Sequence, residues 1–238
     1  MNKFLYYITF AVVICAASAS PKGCPKVKGL SQCKKTAVNV RLPPTLDSQP
    51  EKSRWLSTPK GWLLGNWVVT ATSQPTYRDL VNFQYDSSLI VPQSKETPGQ
   101  LHDVTSWQEG NSSTIHTAYG VDTPRRSTNK TLGAEWNDVY DFSGTGSLNG
   151  TTSSWEVMAW GCDTCGIEYV VIYESATAAD NAPAGLDIQS RADTGPSADT
   201  LNQIYTSIKN LNNKIRRARS FVTLLVSITL LLLLNPGK

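Results

Sequence analysis

The chain has 238 residues, a net charge of +3 and 17% charged residues. No block of like charge runs through its middle, which argues against nucleic acid as a partner. Seven tryptophans and nine tyrosines supply the broad aromatic surfaces that a core or a ligand cavity uses.

The N-terminus carries Lys3, an apolar run over residues 4–15, and then Ala17, Ser18 and Ala19. A basic start, an apolar stretch and a small-x-small site read as a secretory signal over 1–19. The run is shorter than the ~20 residues of a spanning helix. Residues 20–57 hold Pro, Lys and Ser with little apolar periodicity, and read as an irregular arm tethered by disulfides. A β domain with a closing helix is expected over 58–213.

Within that domain, residues 62–72 (WLLGNWVVTAT) are a strand with Gly65 as a bend or close-packing point. Residues 76–82 read as a loop or short helical turn, and 83–91 as the next strand. Residues 101–108, 113–120 and 131–138 are three more, followed by a shorter one at 139–142. Three apolar runs come next, at 155–160, 167–173 and 186–190, separated by turn residues. The period then changes. Ser197 suits an N-cap, and Leu201, Ile204, Tyr205, Ile208 and Leu211 follow at helical spacing. Eight to ten short strands and no βαβ alternation point to an all-β sandwich or barrel.

Cys15 falls in the signal, which leaves Cys24, Cys33, Cys162 and Cys165. An even number in a secreted chain implies two disulfides. A cross-link from the arm to the 162–165 turn is the preferred pairing, because a CxxC loop closes under strain. Cys24 with Cys33 and Cys162 with Cys165 is the alternative. The CxxC lies between strands rather than at a helix start, so neither redox chemistry nor zinc is expected of it. Asn111, Asn129 and Asn149 begin glycosylation sequons. His102 and His116 stand in no nucleophile or metal motif, so no catalytic residue, metal or cofactor is expected.

At the C-terminus, Lys214, Arg216, Arg217 and Arg219 precede an apolar run over 221–234. The segment 214–238 reads as a basic spacer and hydrophobic tail. A cleaved GPI signal, a retained membrane anchor, and a buried or disordered tail all stay open. So does the oligomeric state.

Gly65, Asn66 and Trp67 on the first strong strand resemble the Gly-x-Trp motif of the lipocalin family. The run from Leu186 to Arg191 is similar to that family's last strand ending in arginine, with the helix from Ser197 after it. The stretch Tyr77 to Tyr85 resembles the first long loop and second strand. The similarity covers about residues 62–213. The middle Thr-Asp-Tyr motif is not intact, and Gly161, Cys162 and Asp163 lie near its place. The chain thus resembles an outlying, secreted, apolipoprotein D-like lipocalin.

The resemblance implies an eight-stranded antiparallel up-and-down barrel with a C-terminal α-helix packed on it. It implies that Trp67 and Arg191 meet at the closed end as a structural clamp. It also implies a cavity for a small hydrophobic ligand of the fatty acid, sterol or pigment class. Alternation does not reveal which face of each strand turns inward. The cavity residues expected on that basis are Trp107, Tyr119, Met158, Trp160, Tyr169, Val171 and Tyr173. The alternatives to a secreted ligand binder are a cell-surface interaction glycoprotein and a lipocalin-type enzyme.

Overall fold

The computed structural model describes residues 33–52, 54–90, 99–177 and 182–217. The expected signal, Cys24 and the apolar tail lie outside them. Eight antiparallel strands follow one another in chain order: β1 (Gly65–Thr72), β2 (Leu80–Leu89), β3 (Leu101–Glu109), β4 (His116–Pro124), β5 (Val139–Thr145), β6 (Thr152–Cys162), β7 (Glu168–Glu174) and β8 (Gly185–Ser190). Each pairs with the next, and β8 returns to β1, so the sheet closes as an up-and-down barrel. Closure pairs every edge, which removes the exposed strand that an open sheet must protect.

A strand expected at 131–138 is absent. A 3-10 turn at Ala134–Trp136 stands there, and Asp138 at φ 61° redirects the chain into β5. Asn129 folds this segment locally, accepting from the Thr131 N–H and hydroxyl. β4 already pairs with β5, so a closed barrel has no edge left for such a strand. The short strand expected at 139–142 extends to Thr145.

The helix α2 (Ala198–Arg217) begins where Ser197 predicts. The Thr200 N–H donates to Ser197 Oγ at 3.4 Å. Asp163 Oδ2 accepts from the Ser197 N–H at 2.8 Å, and its Oδ1 accepts from the Cys165 and Ile167 N–H groups. One carboxylate therefore shapes the β6–β7 turn and pins the helix start. Ile204 and Ile208 are fully buried on the outside of the barrel, against Met158, Tyr169, Val171, Tyr173, Leu186 and Ile188. Helical structure runs through residues 213–217, the start of the expected polar spacer.

The described part of the arm, from Cys33, lies along the outer face of β6. Cys33 is disulfide-bonded to Cys162 across 129 residues. Cys165 is disulfide-bonded as well. The local Cys24–Cys33 alternative is thereby overturned, because Cys33 spans to the barrel. Thr36 exchanges hydrogen bonds with the Cys162 backbone, and the Arg41 N–H donates to Met158 O at 2.9 Å. Arg41 is buried with its guanidinium 3.8 Å over the Trp55 ring. It donates to the carbonyls of Val157, Glu135 and Asn137 at 2.7–2.8 Å. Burial pulls this guanidinium down to about 10, with Asp138 and Glu156 opposing. These contacts make the arm a strap on the barrel.

Candidate functional site

A tryptophan–arginine clamp closes one end of the barrel. Gly65 opens β1 at φ 82°, a left-handed conformation that glycine adopts without cost to a Cβ. Trp67 follows, 2% exposed, with its Nε1 donating to Leu63 O at 3.2 Å. The Arg191 guanidinium lies 3.8 Å over the Trp67 ring. Its Nη1 donates to Asn66 O at 2.6 Å, and Nη2 to Trp62 O and Leu64 O at 2.7 Å. Its Nε pairs with Glu168 at 3.2 Å. The planar fork satisfies three carbonyls of the entering chain while stacking on an indole, a combination lysine lacks. These groups hold the end shut.

Above the clamp lies a cavity of about 420 Å³. Trp67, Phe83, Trp107, Phe142, Trp155 and Ile172 contribute apolar wall. Gly120 leaves space for Phe142, since a Cβ there would meet the phenyl ring at 2.0 Å. The turn at Pro75–Tyr77 borders the other end with Leu80, Glu109 and Leu148.

Four carboxyl groups line the cavity: the exposed Glu109 at its border and, deeper in, Asp103 on β3, Asp122 on β4 and Glu174 on β7. Glu174 accepts from the Tyr85 hydroxyl at 3.0 Å, Gln74 Nε2 at 3.1 Å and the Tyr77 hydroxyl at 3.4 Å. Asp122 Oδ1 accepts from Trp155 Nε1 at 2.8 Å. Asp103 Oδ1 is buried with no hydrogen-bond partner. Beside them, Asp187 on β8 is wholly buried, and neither of its oxygens makes a well-formed hydrogen bond. Thr72 and Glu174 are its polar neighbours. Among the described lining residues there is no lysine, arginine or histidine.

A low-dielectric interior disfavours charge, so these groups hold protons unusually well. Burial, then the nearby Glu174, pushes Asp103 up to about 7, against the pull of Thr105. Asp122 rises well above its ordinary value through burial and then Asp103. Burial also raises Glu174, and hydrogen bonds with Tyr85, Gln74, Tyr77 and Asp187 resist. Asp187 rises through burial and then Glu174. The Tyr85 phenol is raised by burial and by Glu174, so it stays a donor.

Of the seven cavity residues expected from sequence, Trp107 alone lines the cavity, its indole stacked 5.5 Å from His116. Tyr119 is 44% exposed on the outer face and stacks on His102. Met158, Tyr169, Val171 and Tyr173 lie outside the barrel under α2. Trp160 packs at the clamp end, its ring 5.1 Å from Trp62 and its Nε1 bonded to Leu56 O. On β6 the cause is a bulge between Val157 and Ala159. An extra residue reverses strand phase, so Val157 joins the inner cluster while Met158 and Ala159 join the outer one. On β7 the inner cluster takes Val170 and Ile172, and Glu174 follows in the same phase into the cavity. Sequence reading missed the carboxyl groups. The available signal was an acidic residue alternating with apolar ones in a short strand, as Asp187 does between Leu186 and Ile188.

Asn111 and Asn149 sit on exposed turns, and Asn129 caps the short helix α1 (Arg125–Thr128) from an exposed position. Among the described residues no group of three or more His, Cys, Asp or Glu side chains is placed to hold a metal ion. No described helix is long and apolar enough to cross a membrane.

No family model matches the chain. It is 30% identical over 181 residues to botcinic acid biosynthesis cluster B protein 12 of Botryotinia fuckeliana (strain B05.10), covering 73% of this chain and 76% of that protein. The chain belongs to the family of that protein. Among solved structures, lobster apocrustacyanin A1 aligns with a TM-score of 0.42 at 12% identity, over 64% of this chain and 73% of that one. A biogenic amine-binding protein aligns with a TM-score of 0.43 at 12% identity, over 65% and 76%. The lipocalin-like fold of this family member stands on its own topology: eight meandering strands, a closed sheet, a clamp of Trp67 and Arg191, and a helix on the outer wall.

Proposed function

We propose that the barrel binds a small molecule with an apolar or aromatic body, held in the cavity between the clamp and the Pro75–Tyr77 turn. The observation that carries this is the cavity of about 420 Å³ with its aromatic wall. Its volume falls in the ~300–1,000 Å³ range of small-molecule sites. Removing apolar ligand surface from water contributes roughly 25 cal/mol per Å², and the few polar groups orient what enters. Sterol-like and pigment-like bodies suit the wall. An ionised fatty acid would set its own carboxylate among Asp103, Asp122 and Glu174, which disfavours that class.

The Cys33–Cys162 bridge and the exposed positions of Asn111, Asn129 and Asn149 support a secreted or extracellular setting. Treatment with an N-glycosidase should then sharpen and shift the band of protein purified from its own host.

Native mass spectrometry of protein purified from its source, with organic extraction of what is bound, tests the binding reading. A stoichiometric small molecule is expected. Ala118 is a small, buried lining residue, so Ala118→Trp should fill the space and abolish uptake. Undiminished uptake by a folded Ala118→Trp protein would place binding elsewhere.

A second reading has a specific basis. The 30% identical relative is named for a biosynthesis cluster, and a carboxyl group near neutrality such as Asp103 can pass a proton to a bound molecule. Catalysis on a biosynthetic intermediate would appear as a mass or isomer change in the extracted ligand after incubation. An unaltered ligand would favour binding alone.

A further inference from the structure

We propose that the cavity selects an organic cation, whose ammonium-type head sits among Asp103, Asp122 and Glu174 and whose apolar body fills the aromatic space around them. The inference deepens the small-molecule reading and rests on it.

Charge bookkeeping inside the barrel leads there. Three strands each deliver a carboxyl group to one cavity, and a fourth, Asp187, stands behind them. No described lining residue is cationic. Burying carboxyl groups without a counter-charge costs stability. A barrel built only for packing would carry apolar side chains at these inward positions.

Geometry adds an independent sign. Asp103 is 7% exposed, lines the cavity, and leaves Oδ1 without a partner. An N–H donor from a ligand would complete it. Glu174 is prepared differently. Tyr85, Gln74 and Tyr77 hold it from three directions, all of them neutral donors. They fix its orientation without neutralising it, so its attraction for a cation persists. Trp107 and Trp155 present aromatic surface in the same space, which attracts a cation through the ring quadrupole.

A metal ion is the weaker occupant. The carboxyl groups are spread around the wall, and no described set of three is close enough to ligate one ion. An organic cation needs only one of them in direct contact, the others adding attraction at longer range while its apolar body fills the aromatic space.

Binding should also release protons. An arriving cation stabilises the ionised carboxyl groups. The groups facing Asp103 are Glu174, Asp122 and the Tyr85 phenol, which are acidic or neutral, with the Thr105 hydroxyl beside it. None of these opposes the cation, so affinity should climb as pH rises through about 7.

The test uses the protein purified from its own host and three probes with one skeleton: phenylbutylamine, phenylbutanol and phenylbutyrate, titrated by calorimetry at pH 8. The amine is expected to bind about tenfold or more tighter than the alcohol, with the carboxylate weakest. Asp103→Asn and Glu174→Gln should each weaken the amine by about tenfold while leaving the alcohol within about threefold. Lowering the pH to 5 should weaken the amine alone. Equal binding of amine and alcohol overturns the charge selection and leaves the cavity reading standing. Uptake of none of the three by folded protein, together with no ligand in native mass spectrometry, sinks both.

Discussion

At the scale of the residue, Asp103 makes the most direct statement about pH. Its carboxyl group holds a proton up to about 7, against an ordinary value of 3.8. Between those values the folded chain binds more protons than the unfolded chain, so stability falls as pH rises through that window. The penalty is absent below the ordinary value and complete above about 7. Asp103→Asn should therefore be more stable than the natural protein at pH 8, by roughly 1–3 kcal/mol, and the two should converge near pH 3. Urea denaturation at both pH values measures this, and a variant weaker at both would show that the carboxyl group is compensated in some other way. Arg191 works in the opposite sense. Arg191→Ala removes a fork from three carbonyls and a cation from an indole face, and should cost about 2–4 kcal/mol by thermal melting. Arg191→Lys should recover only part of that, because an ammonium cannot keep the planar fork.

Elements divide the labour between support and site. α2 covers the outer face of β6, β7 and β8, and none of the residues in its described apolar cluster lines the cavity. Ile208→Ala should therefore destabilise by about 2–5 kcal/mol, the usual range for a buried truncation, while probe affinity in the surviving folded protein stays unchanged. A parallel loss of affinity would mean that the helix tunes the cavity through the wall. The β6 bulge is the other decisive feature at this scale. It lets one strand put Trp155 and Val157 inside and Met158 and Ala159 outside. That phase reversal is what defeated a reading of β6 by alternation.

Across the whole molecule, the Cys33–Cys162 bridge closes the longest loop described, 129 residues. Replacing both cysteines by serine loosens the unfolded chain, and because Cys165 keeps its own disulfide the cost should fall below the about 4–5 kcal/mol of an isolated bridge of this span. The strap would still be held by Arg41, whose guanidinium meets three carbonyls and the Trp55 ring. Limited proteolysis of the double variant should thus cut first around residues 33–40, before the barrel. Simultaneous digestion of both would show that the strap and barrel unfold as one unit.

How much of this was legible beforehand follows from the range of each interaction. Strand runs, turn residues, Ser197 and the helical spacing from Leu201 to Leu211 are local, so the chain written out already specifies most strands and α2. Gly65, Trp67 and Arg191 carried the resemblance to the lipocalin family, and the resemblance in turn implied the barrel. What no local pattern contains is which face turns inward. That depends on bulges in β2 and β6 and on which wall α2 covers. Tyr169, Val171 and Tyr173 looked like cavity wall because they are apolar, yet the helix needs them outside. Asp103, Asp122 and Glu174 were not among the cavity residues expected from sequence, yet barrel closure brings them together inside. Sequence by itself determined the elements and their order. Closure and phase, which are long-range, decided that the cavity would be acidic.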